Sequence, residues 1–166
     1  MKRPMSTTIL VLTATATGLI SGLFYSYSCS VNPGLGNLPD ANYIAAMQSI
    51  NKAIINPLFM MSFLGTLVLL PLSTYYSYNA SMMLRFYLLL AATILYAAGV
   101  FGVTMLGNVP LNDALEKVNL QAASPAEVRA YRISFEGPWN YLHRIRSLAS
   151  SGTLILVVLA CVLGKE

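Results

Sequence analysis

Charge is what this sequence has least of: Asp, Glu, Lys and Arg together make up 10% of its 166 residues. A typical soluble domain carries about 25%. So low a share, with a mean hydropathy of +0.63, excludes an ordinary water-soluble fold and makes the lipid bilayer the natural solvent. Histidine occurs once, and neither a CxxC nor an HExxH pattern is present, which leaves no recognisable all-protein zinc site or paired-histidine haem site. The two cysteines, Cys29 and Cys161, stand near the ends of the first and last apolar runs. Antiparallel threading puts them at opposite faces and excludes a bridge between them. The net charge of +4 has no basic face behind it, because Lys and Arg are scattered between apolar runs; it reads as anchoring beside the membrane, with no nucleic-acid partner.

What remains is an all-α pattern. Four apolar runs, at 6–27, 57–77, 85–107 and 139–163, are each long enough to cross a bilayer as a helix, which takes about 20 residues. They predict an integral membrane four-helix bundle, one transmembrane domain over 1–166, with two external loops each carrying short amphipathic helices. Ala14, Gly18 and Gly22 on the first run, and Ala98 and Gly102 on the third, have the four-residue spacing of small side chains that lets helices approach closely in lipid. Asn56-Pro57 opens the second run as an N-cap followed by proline at the first helical position. Pro71 predicts a bend within it, and Tyr75, Tyr76 and Tyr78 gather where an interfacial belt would lie. A turn near Asn79 and Ser81 leads into the third run. Lys2 and Arg3 flank the first helix closely, with Arg85 and Lys165 on the same side, so the expected location is the cytoplasmic membrane with both termini inside.

The first loop shows three successive turn signals, Asn32-Pro33-Gly34, Gly36-Asn37 and Leu38-Pro39-Asp40. A helix capped by Asp40 and running to about Ile55 should follow, with Tyr43, Met47, Ile50 and Ile54 on one face, lying across the bundle as a lid. In the second loop Asn112-Asp113 can begin a short helix. Ser124-Pro125-Ala126-Glu127 is a capping box whose helix should end before Gly137-Pro138.

Ionisable groups at the mouth of a membrane bundle are costly to desolvate, which makes His143 and Arg146 the first functional candidates. With Trp139 and Ser150 they fall on one helical stripe that enters the membrane facing the other helices. Asn56 is explained as a cap. Asn108 ends the third run beside Pro110, where a buried amide can orient a bound carbonyl or tie down loop backbone, and Asn112 stands one turn further on. Helical spacing on the fourth run and antiparallel threading of the third together predict that Trp139, His143, Arg146, Asn108 and Asn112 converge in one polar pocket beneath the loop helices.

The same residues carry a resemblance. Asn56-Pro57 opening a span, Asn108-Val109-Pro110-Leu111-Asn112 after the next, and Trp139-x-x-x-His143-x-x-Arg146 opening the last make the chain, over nearly its whole length, similar to the small membrane-protein family that includes fungal anthrone oxygenases and many bacterial members. The resemblance implies a four-helix membrane fold and a membrane-embedded oxygenase that uses O2 on an anthrone-like or other polyphenolic aromatic substrate, with no cofactor and no metal. Under it, neutral His143 would remove an acidic C–H proton, Arg146 would stabilise the resulting oxyanion, Trp139 would stack on the rings, and Asn108, Asn112 and Asn56 would surround the substrate. The expected partners are a hydrophobic aromatic small molecule and the lipid bilayer, and a homo-oligomer stays open. Two other readings compete: a non-catalytic accessory subunit holding a quinone or lipid, and a haem or copper redox protein in which His143 is joined by Met60, Met61, Met82, Met83 or Met105.

Overall fold

The computed structural model describes residues 3–78 and 83–163, with side chains from residue 7 onward. The expected turn at Asn79 and Ser81, the anchors Lys2 and Lys165, and the side chain of Arg3 lie outside the described residues. Within them every regular element is helical: α1 (Arg3–Ser26), α2 (Asn32–Gly36), α3 (Asp40–Ala53), α4 (Pro57–Tyr76), α5 (Met83–Tyr96), α6 (Val109–Glu116) and α7 (Pro125–Leu163), with wider π turns at Tyr27–Val31, Ala97–Gly102 and Thr104–Asn108. The π turns join their neighbours without a break. The result is four helices long and apolar enough to cross a membrane, Thr7–Gly36, Pro57–Tyr76, Met83–Glu116 and Pro125–Leu163. α1 packs on α4 and α7, and α5 packs on the same two, so the four close into a ring. Large apolar side chains such as Leu58, Val68, Ile94, Leu106 and Leu148 face outward, a surface only lipid accommodates. The chain is an all-α, multi-pass membrane bundle.

Three of the four helices outrun the apolar runs that announce them. The first continues through Asn32-Pro33-Gly34 to Gly36, so that segment is helix and not the expected turn. Burial of Leu35 in one cluster with Tyr43, Met47, Phe135 and Trp139 outweighs the weak helix preference of proline and glycine. The third reaches Glu116, so Asn112 and Asp113 lie inside its last turns instead of starting a new helix. In the second loop the capping box forms: Glu127 Oε2 accepts from the Ser124 amide at 2.8 Å, and Ser124 Oγ accepts from the Glu127 amide at 3.4 Å. The helix it starts does not stop at Gly137-Pro138, however, but runs on as the fourth span for 39 residues. At the usual rise that is about 58 Å, nearly twice the hydrocarbon thickness of about 30 Å, so the outer turns stand clear of the membrane core. Phe135 and Trp139, on either side of Pro138, are both buried in the outer cluster, which holds the helix through its missing hydrogen bond.

α3 is the lid, burying Tyr43, Ile44 and Met47 beneath it. Asp40 is its first residue and does not cap it, because its carboxylate accepts from Arg132 Nη1 at 3.0 Å instead. Arg132 also donates to Leu38 O at 2.6 Å, Gly36 O at 2.9 Å and Glu136 Oε2 at 2.7 Å, with its guanidinium 4.5 Å over the Tyr43 ring. One side chain of α7 thereby fixes the end of the first span and the start of the lid. The other end of the lid is tied to the third span: Gln48 Nε2 donates to Leu115 O and Val118 O at 2.9 and 3.0 Å, and Lys52 pairs with Glu116 at 2.6 Å.

Inside the membrane the first helix turns Thr13, Thr17, Ile20, Ser21 and Phe24 inward, and Gly22 lies on the exposed side with open space around it. Of the expected trio, Ala14 packs against the core and a Cβ at Gly18 would make only an ordinary contact, 4.0 Å from Leu154 Cδ1. Tight contacts lie at Gly99, where a Cβ would stand 2.7 Å from that of Ala149, one residue away from the Ala98 of the expected pair, and at Gly107, 2.7 Å from Leu142 Cδ1. Most interior hydroxyls return their proton to the carbonyl one turn earlier, as Thr17 does to Thr13 O at 2.7 Å and Thr153 to Ala149 O at 2.8 Å, which satisfies them without a partner helix. α4 runs unbroken through Pro71, and Thr13 Oγ lies 2.7 Å from Ser73 Oγ at that level. The tyrosines meet edge to face at the far end, Tyr75 on Tyr76 and Tyr78 on Phe86.

Candidate active site

The start of α4 and the end of the lid meet the other three spans at the level of Trp139 and His143. A cavity of about 380 Å³ lies between them, within the range that holds drug-sized ligands. Its walls are mostly apolar: Phe24 from the first span, Ile54 and Ile55 from the end of the lid, Phe59 and Phe63 from the second span, Met105 from the third. The polar lining comes mainly from three helices, with Asn51 and Lys52 on α3, Asn112, Asp113 and Glu116 on α6, and Trp139, His143 and Arg146 on α7.

Trp139 and His143, one turn apart, stack with centroids 5.1 Å apart and planes 14° from parallel. Arg146, a further turn on, lies 5.0 Å over the Trp139 ring and 4.7 Å over that of Phe24, a guanidinium held between two π faces. Its Nε donates to His143 Nδ1 at 3.1 Å. On the opposite edge of the imidazole, Nε2 lies 2.9 Å from Ser28 Oγ and 3.3 Å from Ser147 Oγ. Two arguments fix the tautomer. A guanidinium can only donate, so Nδ1 is the bare acceptor; and Ser28 gives its one proton to Phe24 O at 2.9 Å, so it accepts from Nε2–H. The imidazole lone pair is therefore occupied by Arg146. In this arrangement the nitrogen that the sequence offers as a base is the one that accepts from Arg146.

Asn112 Oδ1 accepts from Trp139 Nε1 at 2.8 Å, fixing the indole against α6. Asn108 is buried next to the cavity without lining it; its Nδ2 donates to Trp139 O at 3.4 Å while Oδ1 has no partner. Asn56 stands apart from the site. Its Oδ1 accepts from Phe59 N at 3.1 Å and its Nδ2 donates to Ala53 O at 2.8 Å, so it caps α4 and does not line the cavity. The arrangement also speaks to a haem or copper centre. Met60 and Met105 share the cavity with His143, but both ring nitrogens are engaged, and a metal at either would have to displace Arg146 or Ser28. Among the described residues no group of three or more His, Cys, Asp or Glu side chains could hold a metal ion.

Periodicity on the fourth run found Trp139, His143 and Arg146 and missed the residues that face them. Phe24 and Tyr27, whose ring centroid lies 5.5 Å from that of Trp139 and 5.2 Å from that of His143, carried a usable signal, two aromatics three apart at the end of an apolar run. Ser28 and Ser147 carried none, since nothing distinguishes them from the other hydroxyls in the spans. Asp113 was legible only as a helix start.

A family model described as anthrone oxygenase matches residues 44–156, from the lid through most of the fourth span. No curated protein and no solved structure matches the chain.

Proposed function

The chain belongs to the anthrone oxygenase family, and from that premise we propose that it is a membrane-embedded oxygenase whose cavity binds a hydrophobic, phenol-bearing aromatic of the anthrone class and oxidises its ring methylene with O2. The observation that carries this reading is Arg146. It is a fixed cation lining an apolar cavity, and among the described residues no carboxylate pairs with it. An uncompensated charge in such surroundings is expensive, and an oxyanion from the ligand removes that cost. An anthrone supplies one, because loss of a methylene proton moves the electron pair through the central ring onto the carbonyl oxygen. Arg146 holds that oxygen, the Trp139 and Phe24 faces flank the rings, and Asn112 keeps the indole in place.

The delocalised anion then reacts with O2 at the former methylene carbon to give a hydroperoxide. Loss of the second hydrogen with cleavage of the O–O bond leaves a ketone and one water. The carbon gives up four electrons, and O2 takes them, one oxygen ending in the quinone and the other in water. The His143 ring, by holding Arg146 through Nδ1, positions the guanidinium. We place the enzyme in the cytoplasmic membrane with both termini inside, taking its substrate from a lipid-rich phase.

The test is turnover of a hydroxylated anthrone by the purified protein in lipid nanodiscs, with 18O2 as oxidant. One labelled oxygen per quinone is expected, and Arg146→Gln should lower kcat/KM by about 10²–10³. Tight binding of the anthrone without any O2-dependent product above the buffer rate would instead identify a non-catalytic binding subunit.

A further inference from the structure

We propose that Asp113, and not His143, is the base that removes the methylene proton; this rests on the oxygenase reading above. Its case begins with elimination among the groups that line the cavity. The His143 lone pair accepts from Arg146, the Tyr27 hydroxyl donates to Met47 Sδ at 3.3 Å, and Glu116 is paired with Lys52 at 2.6 Å. Asp113 also lines the cavity, and no hydrogen bond or ion pair within the protein engages its carboxylate among the described residues. The side chain is exposed, so it is free to meet a ligand.

Its placement suits the reaction. In an anthrone the carbonyl and the methylene stand across the central ring from each other, so the group that holds the oxyanion and the group that takes the proton must approach from different walls. Arg146 is on α7 and Asp113 on α6. Those two helices are joined at this level by the bond from Trp139 Nε1 to the residue before Asp113, which fixes the α6 backbone relative to the indole plane. A base carried on a rigid element that lines the same cavity as the oxyanion holder is what proton abstraction requires. In the step itself the C–H bond breaks and its proton goes to an Asp113 oxygen. The electron pair moves to the carbonyl oxygen on Arg146, and the Asp113 proton is then available to the peroxide formed with O2.

Deprotonation precedes oxidation, so it is measurable without O2. Under anaerobic conditions in D2O, the protein in nanodiscs should exchange the methylene hydrogens of a hydroxylated anthrone for deuterium well above the buffer rate. Asp113→Asn should slow that exchange by about 10²–10⁴ while leaving anthrone affinity and thermal unfolding as in the unmodified protein. Asp113→Glu should restore part of the rate, and added formate should restore part of it to Asp113→Ala. Exchange by Asp113→Asn at the unmodified rate overturns the proposal, as does an unmodified protein that exchanges no faster than buffer. Normal exchange without quinone on admitting air leaves Asp113 as the base and refutes the oxygenase reading instead.

Discussion

At the scale of single residues the site is a stack: Phe24, Arg146, Trp139 and His143 in mutual contact, with Ser28, Ser147 and Asn112 at its edges. His143 holds this stack together through both nitrogens, which sets the expected result of removing it. His143→Ala leaves Arg146 Nε and the Ser28 hydroxyl without their partner and opens a void beside Trp139. A loss of roughly 2–3 kcal/mol in unfolding free energy is expected, read from thermal or denaturant unfolding in detergent. A variant as stable as the unmodified protein would show that the stack does not depend on the imidazole. Trp139→Phe keeps one ring face but deletes the donor to Asn112 and part of the buried indole; it should cost about 1–3 kcal/mol by the same measurement. The sequence made the α7 half of the stack legible because three residues at helical spacing must share a face. The α1 half depends on which side of another helix faces them; Phe24 and Tyr27 stand out as two aromatics three apart, while nothing local marks Ser28.

At the scale of helices, existence was legible and extent was not. An apolar run marks where lipid touches the chain, and each of the four runs lies within a helix. Proline and glycine at positions 33–36 and 137–138 are stop signals for a helix that must stand alone. Here Leu35, Phe135 and Trp139 are buried together in a cluster separate from that of the apolar spans, and that packing carries both helices past their stop signals. Spacing of small residues misled for a related reason: Gly22 has open space around it and Gly18 only an ordinary contact at 4.0 Å, while the close approaches are at Gly99 and Gly107. The contrast is testable. Gly99→Ala places a methyl 2.7 Å from the Ala149 Cβ, forcing two spans apart, and should lower stability by about 1–3 kcal/mol. Gly22→Ala meets nothing and should be neutral or slightly stabilising through better helix preference. Equal melting temperatures for the two variants would contradict this account of the packing.

At the scale of the whole molecule the lid is tied to the bundle at both ends, unequally. Arg132 joins the first span, the lid and the fourth span, and Arg132→Ala should cost on the order of 2 kcal/mol, discounted for the partial exposure of its acidic partners. The Lys52–Glu116 pair at the other end is exposed on both sides, and Lys52→Ala should shift stability by less than about 1 kcal/mol. Hydrogen exchange of the α3 amides distinguishes the two, with protection lost in the Arg132 variant and largely kept in the Lys52 variant. Four crossings also place Cys29 and Cys161 at opposite ends of the bundle, so a thiol reagent that does not cross the bilayer should reach at most one of them from either side. The placement of Trp139, His143 and Arg146 within eight successive residues of one unbroken helix has a final consequence, for chain length. Adding one residue between Asn140 and His143 would turn the latter two by about 100° about the helix axis relative to Trp139, scattering the stack, whereas the same addition in the segment between Glu116 and Ser124 would leave it whole. Descendants of this chain are therefore free to change many of its letters, but not to insert or delete one in that stretch.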